Sequence, residues 1–146
     1  MGMVFATSHV LAGAAIGAID RAHPARAFAL GVASHVAMDL APHWGRPLPH
    51  DEFFRIARRD GLLALTALGA TVAVGRARPA ILAGALGAVL LDVDKPSRQF
   101  LGRSCFPPAV DRFHDVIQNE AAHRLSWELA AGVALAFLAA GLIRRV

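Results

Sequence analysis

An all-α bundle set in a membrane is the fold the sequence predicts, and three observations predict it. The chain of 146 residues is 55% hydrophobic, above the ordinary globular share. The excess is Ala, Leu, Val and Gly, not the β-branched and aromatic mixture that strands favour. Finally, the apolar residues gather into five segments, Met3–Ile19, Ala27–Ala41, Gly61–Gly75, Ala80–Leu91 and Ser126–Ile143. Each is near or below the ~20 residues that cross a bilayer upright, so a compact soluble Ala-rich bundle stands as the alternative. The length suits a single helical membrane domain over residues 1–146.

The first segment has no basic stretch ahead of it and carries His9 where a signal peptide would be uniformly apolar, so it is expected to be a retained helix. His23-Pro24 marks the turn into the second segment, and Arg78-Pro79 the turn into the fourth. Pro42, Pro47 and Pro49 open a polar connection from His43 to Asp60. The longest connection, Asp94 to Leu125, contains Pro96, Pro107 and Pro108. Its second half places Val110, Phe113, Ile117 and Ala121 at spacings of three and four, which predicts an additional short amphipathic helix over Val110–Leu125. Small residues recur in Gly13-Ala14-Ala15-Ile16-Gly17 and Gly84-Ala85-Leu86-Gly87, a pattern that lets helix backbones approach closely.

Lys+Arg number 15 against 11 Asp+Glu. The arginines flank apolar segments and nowhere interleave with aromatic residues, so headgroup anchoring is expected and nucleic-acid binding is not. Cys105 is the only cysteine, which excludes an intrachain disulfide and a thiolate cluster. Any metal must be held by His and carboxylate.

If the five segments cross alternately, the polar residues fall at one end. His9 lies near the start of the first segment, and His35 and Asp39 near the end of the second. Asp92 and Asp94 follow the fourth, while His114, Glu120 and His123 precede the fifth. That end also carries the larger share of the cations, which by the positive-inside tendency turns it to the cytoplasm.

His35-Val-Ala-Met-Asp39-Leu-Ala-Pro-His43 is the sharpest local feature. Residues four apart share a helix face, so imidazole and carboxylate can meet one ion; an interhelical hydrogen-bonded pair is the alternative. Pro42 ends regular helix, so His43 can reach the site only from the turn. In Asp92-Val93-Asp94-Lys95-Pro96, two carboxylates at a helix end can hold a cation, or serve as a polar terminus with Lys95 compensating their clash with the helix dipole. Glu120 and His123 form an E-x-x-H pair, the spacing of carboxylate-bridged metal bundles and also of ordinary surface helices. The expected metal ligands are His9, His35, Asp39 and Asp94, with His114 and Asp92 next. Asp92 or Glu120 is the expected general base to a metal-activated water. His23 and His50, beside prolines in turns, are set aside. A structural metal or polar staple in a non-catalytic membrane protein is the competing reading.

Thr7-Ser8-His9-Val10-Leu11-Ala12-Gly13, Gly31-Val32-Ala33-Ser34-His35-Val36-Ala37-Met38-Asp39 and Leu91-Asp92-Val93-Asp94-Lys95-Pro96 followed by Phe100-Leu101-Gly102-Arg103 resemble the bacterial membrane-bound metal-dependent hydrolases of the inner membrane. The resemblance covers about 40 residues in three patches. Lys95 stands where that family has a His, and the D-x-D patch follows the H-x-x-x-D patch instead of preceding it. His35 to His43 is also similar to the H-x-x-x-D-x-x-x-P-x-H pattern of zinc-dependent phospholipase C, with the final His two residues closer. These resemblances imply a zinc-dependent hydrolase of the bacterial inner membrane, with a small-molecule or lipid phosphoester as substrate and membrane lipids as partners.

Overall fold

Apolar runs broken by proline leave the backbone one way to satisfy its own hydrogen bonds, and the chain takes it: every regular element among the described residues is helical. The computed structural model describes residues 5–74 and 78–145. Its α-helices are α1 (Ala6–Ile19), α2 (Pro24–Leu40), α3 (His50–Val74), α4 (Arg78–Ala88), α5 (Asp94–Leu101), α6 (Pro108–Ile117) and α7 (Leu125–Ile143). One-turn 3-10 segments precede α5 (Leu91–Val93) and α7 (Ala122–Arg124). Met3, Val4 and Gly75, at the ends of two of the apolar segments, lie outside the described residues.

Helix α1 is the hub. It is apolar on every side, and a helix of that kind is stable only when surrounded; α2, α3, α4 and α7 all pack against it. Val10, Leu11, Ala14, Ala15 and Ala18 meet Ile81 and Ala85 of α4, Ala64 of α3, and Ala139 and Ile143 of α7 in one buried core. Both expected small-residue patterns sit at helix crossings. A Cβ built on Gly13 would run into the Gly84 carbonyl, one on Gly17 into that of Ala80, and one on Gly87 into that of Phe28. Glycine here permits the backbones of α1, α2 and α4 to touch.

Asp60 of α3 fastens the start of α1. Its carboxylate accepts hydrogen bonds from the Ala6 amide at 2.6 Å and the Thr7 hydroxyl at 2.6 Å. It thereby fills the role of an N-cap from a distant part of the chain, since Phe5, the residue at the cap position, supplies no side-chain bond.

Three expectations need correction. First, the connection from His43 to Asp60 is not a loop throughout, because α3 begins at His50. Pro49 lies at its entry, Asp51 and Glu52 occupy its first turn, and Phe53 packs beside Trp44 in a second small core.

Second, the amphipathic helix ends at Ile117, and helical structure resumes only in the 3-10 turn Ala122–Arg124 that leads into α7. Residues 118–121 are spent on the end of α2, whose last carbonyls lack intrahelical donors. The Asn119 amide donates to the Asp39 carbonyl at 3.0 Å, and the Asn119 side chain to the Leu40 carbonyl at 2.9 Å. The same stretch forms an isolated parallel bridge between His43 and Glu120.

Third, among the described residues only one helix is long and apolar enough to cross a membrane, Ala122–Ile143, with 22 residues. At ~1.5 Å rise per residue it spans roughly 33 Å. Ala6–Ile19 and Pro79–Ala88 are apolar but shorter, so the fold is an all-α bundle with one candidate span, where five membrane-embedded helices were expected.

Candidate metal centre

Five elements deliver one polar side chain or two each to a buried point at one end of the bundle. His9 comes from the first turns of α1, His35 and Asp39 from the last turns of α2, and His114 from α6. Asp92 sits in the 3-10 turn after α4, and Asp94 opens α5. His9, His35 and Asp39 are fully buried.

The Asp39 carboxylate is the centre. Its Oδ1 lies 3.3 Å from His9 Nε2, and its Oδ2 lies 3.0 Å from His35 Nε2 and 3.3 Å from His114 Nε2. The His9 and His35 rings stack with centroids 4.1 Å apart. His35 Nε2 and His114 Nε2 approach to 3.2 Å. Asp92 Oδ1 and Asp94 Oδ1 each stand 3.9 Å from a His114 nitrogen, beyond hydrogen-bond range.

Proton bookkeeping decides what this geometry is suited to. His35 Nδ1 lies 2.6 Å from the Ala88 carbonyl, the last of α4. A carbonyl only accepts, so Nδ1 carries the proton and Nε2 is the atom turned to Asp39. Burial works against charging His35, but Asp39 and Asp92 raise it on balance, so without an ion Nε2 can hold a proton that a metal would displace. His35 Nε2 faces Asp39 Oδ2 at 3.0 Å, and that oxygen also takes a bond from Gln118 Nε2 at 2.6 Å. Both ring nitrogens of His9, and Asp39 Oδ1, Asp92 Oδ2 and Asp94 Oδ1, are buried without a hydrogen-bond partner among the described residues. Buried polar atoms without partners are costly. Converging imidazole nitrogens and carboxylate oxygens, several of them unpartnered, are what a cation satisfies.

Two triads have ligand atoms all within 4.8 Å of one another, His9–His35–Asp39 and His35–Asp92–His114. The donors are imidazole and carboxylate, a set that suits zinc and its divalent neighbours. Both triads contain His35, and with its Nδ1 on the Ala88 carbonyl only Nε2 is left to ligate in either.

Lys95 sets the charge at the rim. Its Nζ donates to Asp92 Oδ1 at 2.6 Å. Burial pulls the Asp92 carboxyl upward, but Lys95 and the nearby imidazoles more than offset it and hold the group below its usual range. Lys95 is raised in turn, since Asp92 outweighs the opposing effect of its burial. Asp94 goes the other way: burial raises it, with Asp92 adding to the rise and Lys95 opposing it.

Of the residues singled out in the sequence, His9, His35, Asp39, Asp92 and His114 meet in these triads, and Asp94 stands at their edge, where Arg98 Nε comes within 3.7 Å of its Oδ2. Glu120 does not join them. Its side chain lies over Gly45, where an added Cβ would collide with it, and its Oε1 is buried without a partner. His123 is exposed in the turn before α7, so Glu120 and His123 do not share an α-helix. His43 is buried, with Nδ1 on the Ala41 carbonyl at 2.9 Å. Gln118, the direct partner of Asp39, was missed; its place four residues after His114 is the signal that could have found it. No protein-family model, curated protein or solved structure matches this chain.

Proposed function

We propose that this protein is a membrane-held hydrolase that takes up a divalent metal, zinc in the first instance, at the His9–His35–Asp39–Asp92–His114 centre and cleaves phosphoesters. The observation that carries the reading is the meeting of three imidazole Nε2 atoms on one buried carboxylate, with His35 locked in the ligating tautomer by the Ala88 carbonyl. The resemblance of the same patches to inner-membrane metal-dependent hydrolases agrees with it. A bound divalent ion supplies a Lewis acid and lowers the pKa of a coordinated water. Asp92 Oδ2, buried and unpaired, is positioned to accept a proton from the attacking water. Overall one water is consumed: its oxygen forms the new P–O bond, the ester P–O bond breaks, and the leaving oxygen departs as the protonated alcohol.

Membrane attachment rests on the helix Ala122–Ile143 and on what the bundle turns outward. Trp127, Val133 and Phe137 of α7, Leu62, Leu63 and Leu65 of α3, and Leu86 of α4 are all exposed, large apolar side chains that a lipid surface would cover. The bundle then sits in the bacterial inner membrane with its metal end at the headgroups on the cytoplasmic side.

Elemental analysis of protein purified in mild detergent without chelator tests the reading, alongside a His35→Ala, Asp39→Ala variant. Stoichiometric metal in the wild type and none in the variant is expected, together with loss of p-nitrophenyl phosphate hydrolysis. Metal-free wild type sinks the proposal. A second reading, a closed structural ion, is favoured by the complete burial of His9, His35 and Asp39. X-ray absorption distinguishes the two: four protein ligands and no water indicate a structural site.

A further inference from the structure

Beside the metal centre lies a cleft of about 300 Å³. Leu48, Phe53 and Phe54 line it with apolar groups, and His50, Lys95, Arg98 and Gln99 with polar ones. Lys95 and Arg98 are each one carboxylate away from the centre. Lys95 donates to Asp92, whose Oδ1 is 3.9 Å from His114 Nε2. Arg98 Nε is 3.7 Å from Asp94 Oδ2, and Asp94 Oδ1 is 3.9 Å from His114 Nδ1.

Neither cation is spent. The Lys95 ammonium has three protons and directs one at Asp92. The Arg98 guanidinium has five, with Nη2 on Asp111 at 3.0 Å. Their remaining donors are available to a tetrahedral anion with several acceptor oxygens, for which a guanidinium fork is well shaped. The rings of Phe53 and Phe54 meet edge to face with centroids 5.1 Å apart, a firm surface for an apolar group.

We infer that this cleft is the substrate site, and that it selects a phosphomonoester of an apolar alcohol: Arg98 and Lys95 hold the phosphoryl oxygens, and Leu48, Phe53 and Phe54 receive the apolar group. This rests on the proposed hydrolase reading and names its substrate class. The two cations would hold the anion on the Asp92–Asp94 side of the centre, the side that faces His114. Lys95 thus has a use that a His at its position would lack, since it carries its charge at neutral pH.

The test is calorimetric titration of the full chain in neutral detergent, metal-free and zinc-loaded, with the hydrolytically inert probes phenylphosphonate and methylphosphonate. Phenylphosphonate is expected to bind about tenfold tighter, the effect of burying ~60 Å² of ring. Phe54→Ala is expected to abolish that preference and leave methylphosphonate binding unchanged. Arg98→Gln is expected to weaken both probes at least tenfold with metal content intact, and Arg98→Lys to restore most of the loss. Equal affinity for the two probes, or an Arg98→Gln variant that binds as the wild type does, overturns the inference. Zinc-loaded protein that binds neither probe overturns it while leaving the metal centre standing. Metal-free preparations that bind phenylphosphonate but never zinc support the cleft and overturn the centre. Phosphatidic acid doped into the micelles displaces phenylphosphonate if the ester is a lipid; a soluble ester such as phenyl phosphate does so alone if it is not.

Discussion

Removing the metal should cost the fold a measurable part of its stability, and the structure sets the scale. Without an ion, His9 Nε2 and Asp39 Oδ1 face each other at 3.3 Å, both buried and without a hydrogen-bond partner. A buried unpaired polar group costs roughly 1–3 kcal/mol, so an ion that ligates both recovers about 2–6 kcal/mol. Mass action gives a consistent figure: free ion at a hundred times its Kd stabilises by about 2.7 kcal/mol. For a chain of this length, each kcal/mol moves Tm by roughly 4 °C. Excess EDTA should therefore lower Tm by about 10 °C, followed by circular dichroism at the helical band in mild detergent, and added zinc should restore it. Asp39→Asn keeps the shape and an acceptor for Gln118 but removes the anionic ligand, so its Tm should ignore EDTA and zinc alike. A wild type prepared without chelator whose melting curve is the same with and without EDTA refutes the reasoning, since the unpaired atoms would then need no ion.

The α1–α4 crossing supplies a second test. In Gly84→Ala the new Cβ meets the Gly13 carbonyl; parting the helices by ~1 Å forfeits up to half of the dispersion at the contact, and overpacking of this kind costs ~3 kcal/mol. A Tm lowered by about 10 °C and a loss of bound metal, as His9 shifts against Asp39, are expected; a Tm within 2 °C of wild type shows that the crossing yields. At the opposite end, the Arg26 guanidinium, with His23 assisting, holds the Asp20 carboxyl down at about 2. A folded pKa below the unfolded one of about 3.8 stabilises fully above that value and loses its contribution as pH falls through 2. Arg26→Gln should flatten the fall of Tm between pH 4 and pH 2, and an unchanged slope removes Asp20 from the account. Gln118→Leu deletes the 2.6 Å bond to Asp39 and should weaken zinc binding by about 10- to 100-fold, as loss of a supporting partner does. Competition with a chromogenic chelator measures it, and unaltered affinity makes Gln118 a spectator.

What could be read in the sequence was whatever chain reversal and helical period decide. His9 opens its segment, His35 and Asp39 close theirs, and Asp92 follows the fourth, so alternate crossing brings them to one end. The limit came where distant groups overrule local pattern. Ile117 and Ala121 continue a helical spacing, yet residues 118–121 leave the helix because the Asp39 and Leu40 carbonyls at the end of α2 need donors and Asn119 supplies them. Glu120 was carried out of the site by the same departure. The start of α3 at His50 was legible in principle from Pro49, Asp51 and Glu52, but a dense run of charge read as a connection. The short spans hid a different fact: α1 needs no bilayer length, because neighbouring helices surround it as lipid would.

Charge decides how many ions the centre takes. Asp39, Asp92 and Asp94 bring three negative charges, and Lys95, paired to Asp92 at 2.6 Å, brings one positive. Arg98 and Asp111 pair at the rim and cancel. With the imidazoles deprotonated as ligands the remainder is two negative charges, the complement of one divalent ion, and burial makes any imbalance expensive. The ligand geometry agrees, since the two triads share a single His35 lone pair. A His at position 95 would have left three negative charges and another donor, conditions for a second ion. Elemental analysis should accordingly find one metal per chain in the wild type, and Lys95→His should move the ratio toward two. A wild-type ratio of two would overturn both the charge argument and the assignment of His35 to one ion.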